Sequence, residues 1–287
     1  MTAVDFAVVD SLLDSYPIAR VATLRGGVSY RQAGTGAKNL VFLHGIGSQS
    51  GSWLQQFAGL AARFRMIAWD APGYGDSDPI ENESPDAGEY AASLGAFLAE
   101  LGIRRPVIVA SSLGALIATR YAATRTTDVA GLVLLNPAGG YGLAEPSVRE
   151  EKLAARLARL ARLGPKGMAE SLPAGMLSAG ASNTARGIAA WSQARIDPHG
   201  YSQAARMLAH GTLVKDAAYF DGPVLVVAAS ADTITPAQDC ESIARAFPRA
   251  TFQILDGPGH LSYVEAPEIV NALIADFAES CATGGEA

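Results

Sequence analysis

The amino-acid sequence predicts an α/β fold, with a mostly parallel sheet, helices on both faces of that sheet and a helical insertion. Two observations support this prediction. Short, continuously apolar runs alternate with stretches long enough for helices, which is typical of parallel strands buried on both faces. The alternation is interrupted once, between residues 135 and 224, where a crossover connection needs only about a dozen residues.

The elements follow in order along the chain. Residues 1–19 are predicted to form a short amphipathic helix or an extension, and an antiparallel hairpin follows at 20–24 and 28–32. The apolar runs that predict the remaining strands are 39–43, 66–69, 106–110, 129–135, 224–229 and 251–255. The helix-length stretches between them are 53–64, 87–101, 113–124, 237–246 and 267–280.

The interruption predicts a discontinuous core, at 20–138 and 215–280, with a helical cap at 139–214 inserted into it. Within the cap, the segment REEKLAARLARLARLG has the charge and periodicity of a basic amphipathic helix. Residues 281–287 are predicted to be a frayed tail.

Two groups of side chains in the predicted cap are candidates for lining a binding pocket. Apolar residues such as Met168, Leu172, Met176 and Trp191 are candidates for a pocket wall, although packing within the cap is their more common role. The basic residues between 149 and 162 are candidates for attracting an acidic substrate, but a solvated helix face is the simpler interpretation.

The composition excludes several classes of protein. The 22 basic and 28 acidic residues give a net charge of −6, which gives the chain no attraction to nucleic acid or to an anionic membrane surface. Apolar residues make up 49% and charged residues 17%, which excludes a disordered chain. The sequence has no apolar run of the roughly 18 residues that a membrane span needs.

The first residues and the cysteines predict the compartment. Asp5, Asp10 and Asp14 lie where a secretory signal carries positive charge. Cys240 and Cys281 are more simply interpreted as two free thiols than as a disulfide. The expectation is a soluble cytoplasmic protein that acts on a small-molecule substrate, with no nucleic-acid or membrane partner; its oligomeric state is left open.

The segment VIVASSLGALIA places two serines between an apolar strand and a helix. A nucleophile on so sharp a turn needs small residues two positions before and two positions after it. Ser112 has Ala110 and Gly114 at these positions. The corresponding neighbours of Ser111 are a valine and a leucine, so Ser112 is the candidate nucleophile. Alanine replaces the first glycine of the usual G-x-S-x-G pattern, and taken alone this pattern would also fit a serine that caps a helix.

A serine hydroxyl needs a base, because it is a poor nucleophile at neutral pH. Of the four histidines, His260 lies in the segment DGPGH, directly after the last predicted strand. The carboxyl ends of parallel strands meet at one edge of the sheet, so His260 can reach Ser112 and is the predicted base. His44 is predicted to shape a loop, and His199 and His210 to be surface or hinge residues.

The base in turn needs a carboxylate that orients it. Asp232 follows the predicted strand 224–229 at its carboxyl end and is the predicted acid. Its competitor Asp256 is only four residues before His260, where its side chain more plausibly shapes the turn. The end of the strand at 129–135 holds Asn136 and offers no acid.

An oxyanion needs two backbone donors. The segment HGIG makes a loop with little side-chain bulk, which can turn the N–H of Ile46 towards a carbonyl under attack. The second predicted donor is the N–H of Leu113, directly after the nucleophile at the helix amino terminus. The turn-rich segment DAPGYGDSDP, which contains Asp70, is predicted to be structural scaffold.

These signals occur in the order Ser, Asp, His, with the oxyanion loop upstream. In this respect the sequence resembles the α/β-hydrolase superfamily over roughly residues 20–280, through the motifs HGIG, WDAPGYGDSD, ASSLGA, ASADTITP and GHLSYVEAPE. The resemblance implies an eight-stranded, mostly parallel sheet with a helical cap after the sixth strand. It also implies that Ser112 is the nucleophile, Asp232 the acid and His260 the base. Aspartate at the nucleophile position would indicate a dehalogenase or an epoxide hydrolase, and Ser112 argues against both.

Within this superfamily the cap and the segment HLSYVEAPE resemble the 3-oxoadipate enol-lactonase-like branch, with Glu265 as a structural partner of the final helix. The expected activity is therefore hydrolysis of a carboxylic ester or lactone. An alternative is a carbon–carbon bond hydrolase of aromatic ring-fission products, although that branch usually has tryptophan where Leu261 stands. A minor alternative is a non-catalytic, ligand-binding member of the fold. The sequence has no metal-ligand spacing and no dinucleotide motif, so no cofactor is expected.

Overall fold

The computed structural model describes residues 6–281. In this part of the chain eight strands form one sheet. The strands are β1 (Ala19–Thr23), β2 (Gly26–Ala33), β3 (Asn39–Leu43), β4 (Arg65–Trp69), β5 (Val107–Ser111), β6 (Gly131–Leu135), β7 (Val224–Ala229) and β8 (Ala250–Leu255). Their order in the sheet is β1-β2-β4-β3-β5-β6-β7-β8.

The pairing of these strands confirms the predicted fold class. The hairpin β1–β2 is antiparallel, and β2 pairs antiparallel with β4. Every pairing from β4 across to β8 is parallel. The carboxyl ends of β3, β4, β5, β6, β7 and β8 therefore meet at one edge, which is where the predicted site residues lie.

Helices cover both faces of the sheet. They are α1 (Ala7–Leu13), α2 (Leu54–Leu60), α3 (Ala87–Glu100), α4 (Gly114–Thr124), α5 (Pro146–Glu170), α6 (Asn183–Gln193), α7 (Pro198–His210), α8 (Leu213–Ala217), α9 (Ala237–Ala246), α10 (Ser262–Glu265) and α11 (Pro267–Ser280). The helix predicted at 53–64 is shorter than expected, because a 3-10 turn at 50–53 precedes it and the chain leaves the helix for a turn after Leu60.

Alternate residues of the central strands belong to two apolar cores. In β3, for example, Val41 and Leu43 pack on one side of the sheet, and Leu40 and Phe42 on the other. This arrangement follows from the period of two in a strand, combined with helices on both faces. It also explains why residues 40–43 of β3 are all apolar instead of alternating with polar residues.

Four helices, α5 to α8, lie between β6 and β7, in the stretch where the sequence predicts an inserted cap. The basic amphipathic segment belongs to α5, which is interrupted at Gly164 (φ 60°), directly before Pro165. Proline cannot continue the hydrogen-bonding pattern of the preceding turn, so the interruption follows from the sequence. The boundaries 139–214 stay a prediction.

The amino-terminal helix α1 packs against the cap helix α6. Asp10 of α1 accepts a hydrogen bond of 2.6 Å from Trp191 Nε1 and forms an ion pair with Arg195. The predicted tail at 281–287 lies outside the described residues except for Cys281, and Cys240 and Cys281 are both buried free thiols. Across residues 6–281, helices are too short or too polar to cross a membrane.

Asp70 follows β4 and is fully buried. One carboxylate oxygen accepts a hydrogen bond of 2.7 Å from the Ser50 N–H, and the other accepts one of 2.7 Å from the Ser29 hydroxyl. The side chain thus joins β2 to the turn that precedes α2. This geometry agrees with the scaffold role predicted for the DAPGYGDSDP segment.

Replacing Asp70 by Ala should lower the free energy of unfolding by about 2 to 4 kcal/mol, because two buried donors lose their acceptor. Asp76→Ala is the matched control, since that side chain is exposed in the same loop, and it should change stability by no more than about 0.5 kcal/mol. Urea denaturation measures both values. Equal stability of the two variants would contradict the scaffold role.

Candidate active site

Ser112 lies at the junction between β5 and α4, with a positive φ of 51°. Its N–H donates to the Leu135 carbonyl at 3.0 Å, and its carbonyl accepts hydrogen bonds from the N–H groups of Ala115 and Ala138. A left-handed backbone is strained for a non-glycine residue, and it persists here because these bonds fix the turn. The hydroxyl is thereby held at the carboxyl edge of the sheet.

Two glycines make room for this turn. A Cβ atom on Gly114 would lie 2.5 Å from the Leu43 carbonyl oxygen, closer than real side chains approach. A Cβ atom on Gly45 would lie 3.0 Å from the Ser112 Cβ and 3.6 Å from its Oγ. The requirement for a small residue two positions after the serine is therefore steric. Ala110, two positions before it, is fully buried within β5.

Ser111 occupies a different environment from Ser112. Its side chain is fully buried, and its Oγ has no hydrogen-bond partner within residues 6–281. Ser112 borders a cavity that His260 also lines, whereas Ser111 is not among the residues that line it. The structure therefore separates the two serines as the sequence analysis does.

His260 follows β8 and is 5% exposed. Its Nδ1 donates a hydrogen bond of 2.8 Å to Asp232 Oδ2. This bond directs the other ring nitrogen, Nε2, away from the acid. The backbone at His260 is held by the cap, since the His260 N–H donates to the Gly175 carbonyl and the next N–H donates to that of Met176.

Asp232, after β7, accepts hydrogen bonds at both carboxylate oxygens. Oδ1 accepts from the N–H groups of Ile234 (2.7 Å) and Thr235 (3.0 Å). Oδ2 accepts from the Thr235 hydroxyl (2.7 Å) and from Asn136 Nδ2 (2.8 Å), in addition to His260. The carboxylate is consequently saturated with donors, and its position is fixed.

These donors decide the charge of Asp232. Burial by itself would raise the pKa of this carboxyl, because desolvation penalises the charged form. The hydrogen bond and charge of His260, together with the Thr235 donors, outweigh burial and lower the pKa below its ordinary value. Asp232 is therefore an anion at neutral pH and holds a proton on His260 Nδ1.

Asn136 and Thr235 are site residues that the sequence analysis does not identify. Asn136 has a positive φ of 48° and is fully buried. It donates to Asp232, while its Oδ1 accepts a hydrogen bond of 2.6 Å from Ser262. The available signal in the sequence is its position at the carboxyl end of a buried strand, where an amide as well as an acid can interact with the site residues.

The competing acid is placed elsewhere. Asp256 is exposed and accepts a hydrogen bond of 2.9 Å from Ser230, so it shapes the turn as predicted. Glu265 differs from the prediction. It accepts hydrogen bonds from the Gly259 N–H and from Ser178 of the cap, so it ties the His260 loop to the cap and not to the final helix.

The remaining histidines have the predicted surroundings. His44 is 1% exposed, and its Nε2 accepts a hydrogen bond of 3.0 Å from the Ala71 N–H. Burial lowers the pKa of His44, so its imidazole is neutral and supports the loop. His199 and His210 are exposed, on a helix of the cap.

The predicted oxyanion donors belong to the loop after β3 and to the residue that follows Ser112. The loop after β3 turns at Gly45, whose carbonyl accepts a hydrogen bond from the Ser48 N–H. Ile46 lies in this turn and lines the cavity, and Leu113 directly follows Ser112. The N–H groups of Ile46 and Leu113 have no acceptor in the described part of the chain, so both remain available to a ligand oxygen.

Ser112, His260 and Ile46 share a cavity of about 560 Å³. Met168 and Met176 of the cap also line it, as the sequence allows. Leu172 and Trp191 are not among the residues that line the cavity, and Trp191 packs towards α1 instead. Residues 6–281 bring no three potential metal ligands together.

Comparison with known proteins identifies similar sequences and folds. The model of the alpha/beta hydrolase family matches residues 40–273. A 2-hydroxy-6-oxononadienedioate/2-hydroxy-6-oxononatrienedioate hydrolase from Pseudomonas putida is 34% identical over 139 residues, which are 45% of this chain and 48% of that protein. The chain thus matches about half the length of this relative.

Two further similarities extend over most of the chain. A 3-oxoadipate enol-lactonase from Acinetobacter baylyi is 26% identical over 248 residues, covering 85% of this chain and 90% of that protein. A solved esterase from Thermogutta terrifontis superposes with a TM-score of 0.80 at 23% identity, over 92% of this chain and 98% of that one. The structural likeness confirms the predicted fold.

Asp232→Asn should destabilise the protein most at neutral pH. Because the folded-state pKa of Asp232 is lowered, its contribution to stability is present above the unfolded-state pKa of about 3.9 and is lost as pH falls through the folded value. The difference in unfolding free energy from the unsubstituted protein should therefore shrink on acidification. Denaturation at several pH values measures it, with exposed Asp256→Asn as the control. A difference that stays constant down to about pH 3 would contradict this linkage.

Proposed function

The chain belongs to the alpha/beta hydrolase family, and from this premise we propose that it is a serine hydrolase that cleaves a carboxylic ester or lactone through an acyl-enzyme. One observation carries the proposal. The strained turn at Ser112 and the imidazole of His260, oriented by Asp232, border one cavity. A serine, a histidine and an aspartate are the residue types that serve as nucleophile, base and orienting acid in serine hydrolases.

In the first half of the reaction, Ser112 Oγ attacks the carbonyl carbon while its proton passes to His260 Nε2. The N–H groups of Ile46 and Leu113 stabilise the negative charge that develops on the carbonyl oxygen. The tetrahedral intermediate then collapses, and the imidazolium returns the proton to the leaving oxygen. An alcohol leaves, or in a lactone the ring opens, and the acyl group stays on Ser112.

In the second half, His260 takes a proton from water, and the resulting hydroxide attacks the acyl carbon. Collapse of this intermediate releases the carboxylic acid and returns the proton to Ser112 Oγ. Asp232 keeps a proton on Nδ1 throughout and stabilises the imidazolium, without accepting that proton itself. Asn136 and Thr235 support this role because they bind the oxygen of Asp232 that faces His260.

The similar proteins support this substrate class at a coarse level. The relative that matches over most of its length is named an enol-lactonase, and the structural neighbour is named an esterase. Both names describe hydrolysis at an acyl carbon with an oxygen leaving group. Ser112, His260 and Asp232 are suited to the same type of hydrolysis.

A second candidate is hydrolysis of a carbon–carbon bond in a ring-fission diketone. The specific observation in its favour is the relative from Pseudomonas putida, at 34% identity over about half its length. Against it, Leu261 borders the cavity directly after His260, where that branch usually has tryptophan. Both reactions need the same three side chains, so a direct comparison of substrates separates them.

Ser112→Ala should lower kcat by about 1,000-fold or more in a p-nitrophenyl ester assay, because nucleophile and base act as one unit. Ser111→Ala is the matched control. Its hydroxyl lies next in sequence but off the cavity, and its removal should change kcat by less than about 3-fold. Loss of activity in the Ser111 variant with retention in the Ser112 variant would refute the assignment.

A substrate panel should favour oxygen esters and lactones over ring-fission diketones. With purified protein, kcat/KM for the best ester or lactone should exceed that for a 2-hydroxy-6-oxo-dienoate by about 10-fold or more, a difference of roughly 1.4 kcal/mol in barrier. Ultraviolet absorbance follows diketone loss, and a pH indicator follows lactone opening. A preference for the diketone would establish the second candidate instead.

A further inference from the structure

The cavity contains two cationic side chains that the proposed reaction does not use. Arg156 and Arg159 of α5 both line the cavity that Ser112 and His260 border. They are three residues apart, so they lie on one face of the helix. From the sequence alone, a solvated helix face is the simpler interpretation of these basic residues. The structure corrects that interpretation for Arg156 and Arg159, because their face of α5 borders the cavity.

Resting on the proposed function, we propose that the substrate carries an ionised carboxylate apart from its reacting carbonyl, and that Arg156, with Arg159 beside it, binds this carboxylate. The substrate class is then a half-ester of a dicarboxylic acid, or a lactone with a carboxylate side chain. The reacting carbonyl lies at Ser112, and the second carboxylate lies against α5.

The contacts of the two arginines leave donors unused. Arg156 makes one long hydrogen bond of 3.4 Å, to the Tyr141 hydroxyl. Arg159 donates to Met168 Sδ at 3.1 Å and to the Ser171 carbonyl. A guanidinium has five N–H donors, and a carboxylate satisfies two of them at once. Arg156 has the greater free capacity, so it is the principal contact.

The charge balance around the cavity favours an anion. Within residues 6–281, the ion pairs include neither Arg156 nor Arg159. The acidic residue bordering the cavity there is Asp239, which is exposed. Although the whole chain has a net charge of −6, the cavity lining therefore contains two arginines against one exposed acid. Because both arginines are partly buried, a bound carboxylate would be attracted more strongly than at an exposed site.

The helix itself supplies a control. Arg162 lies three residues after Arg159, is exposed, and does not border the cavity. A general attraction of the basic helix for anions would involve Arg162 as much as the other two. Direct binding in the cavity would involve Arg156 and Arg159 and leave Arg162 without effect.

The test compares two substrates of nearly equal shape, p-nitrophenyl hydrogen adipate and p-nitrophenyl methyl adipate, which differ by one negative charge. The protein should hydrolyse the anionic ester with a kcat/KM at least about 10-fold higher than the neutral ester, as expected for a charge-assisted hydrogen bond. In Arg156→Gln this preference should fall to about 2-fold or less, chiefly through a higher KM for the anionic ester. Arg156→Lys should retain part of the preference, and Arg162→Gln all of it.

The outcomes separate the two proposals. Hydrolysis of both esters at similar rates, or an unchanged preference in Arg156→Gln, would overturn the carboxylate site and leave the serine hydrolase intact. An equal loss for both esters in Arg156→Gln would assign Arg156 a structural role and also overturn the site. Absence of ester hydrolysis, or its survival in Ser112→Ala, would overturn the proposed function.

A binding measurement decides the carboxylate site independently of turnover. In Ser112→Ala protein, monomethyl adipate should bind at least about 10-fold more tightly than dimethyl adipate by titration calorimetry. Adding Arg156→Gln should abolish the difference. Equal affinity for the two compounds would overturn the site even if the protein hydrolysed neither ester.

Discussion

The parallel pairing of the strands from β4 to β8 is the constraint on which the site depends. Parallel strands end at a common edge, so residues far apart in sequence meet there without any local signal that joins them. Ser112 directly follows one strand, Asp232 follows another and His260 a third. The loop with Ile46 follows a fourth, beside β5. A fold without this edge would leave the same four segments apart.

The second requirement is that buried polar groups at this edge find partners. Asp232 accepts hydrogen bonds from His260, Thr235 and Asn136, and Asn136 accepts one from Ser262. A half-satisfied network would be costly at this depth, whereas this one fixes both the charge of the carboxylate and the tautomer of the imidazole. The folded protein therefore orients His260 before any substrate binds.

The sequence predicts those features that have a local cause. Continuous apolar runs predict buried parallel strands, and small neighbours distinguish Ser112 from Ser111, because a Cβ on Gly114 would meet the Leu43 carbonyl. Features that depend on distant segments are missed. Nothing near Asn136 indicates an interaction with Asp232, and the partner of Glu265 lies in the cap. Helical periodicity defines the faces of α5 but not which face borders a cavity.

The central claim is that Ser112 is a nucleophile activated by His260. Reaction with a serine-directed fluorophosphonate tests it most directly, because the reagent forms a covalent bond only with a serine whose hydroxyl is activated by a base. Mass spectrometry of the treated protein should find one adduct, on the peptide that contains Ser112, and the His260→Ala variant should react far more slowly. An adduct on Ser111 or elsewhere, or none at all, would contradict the account.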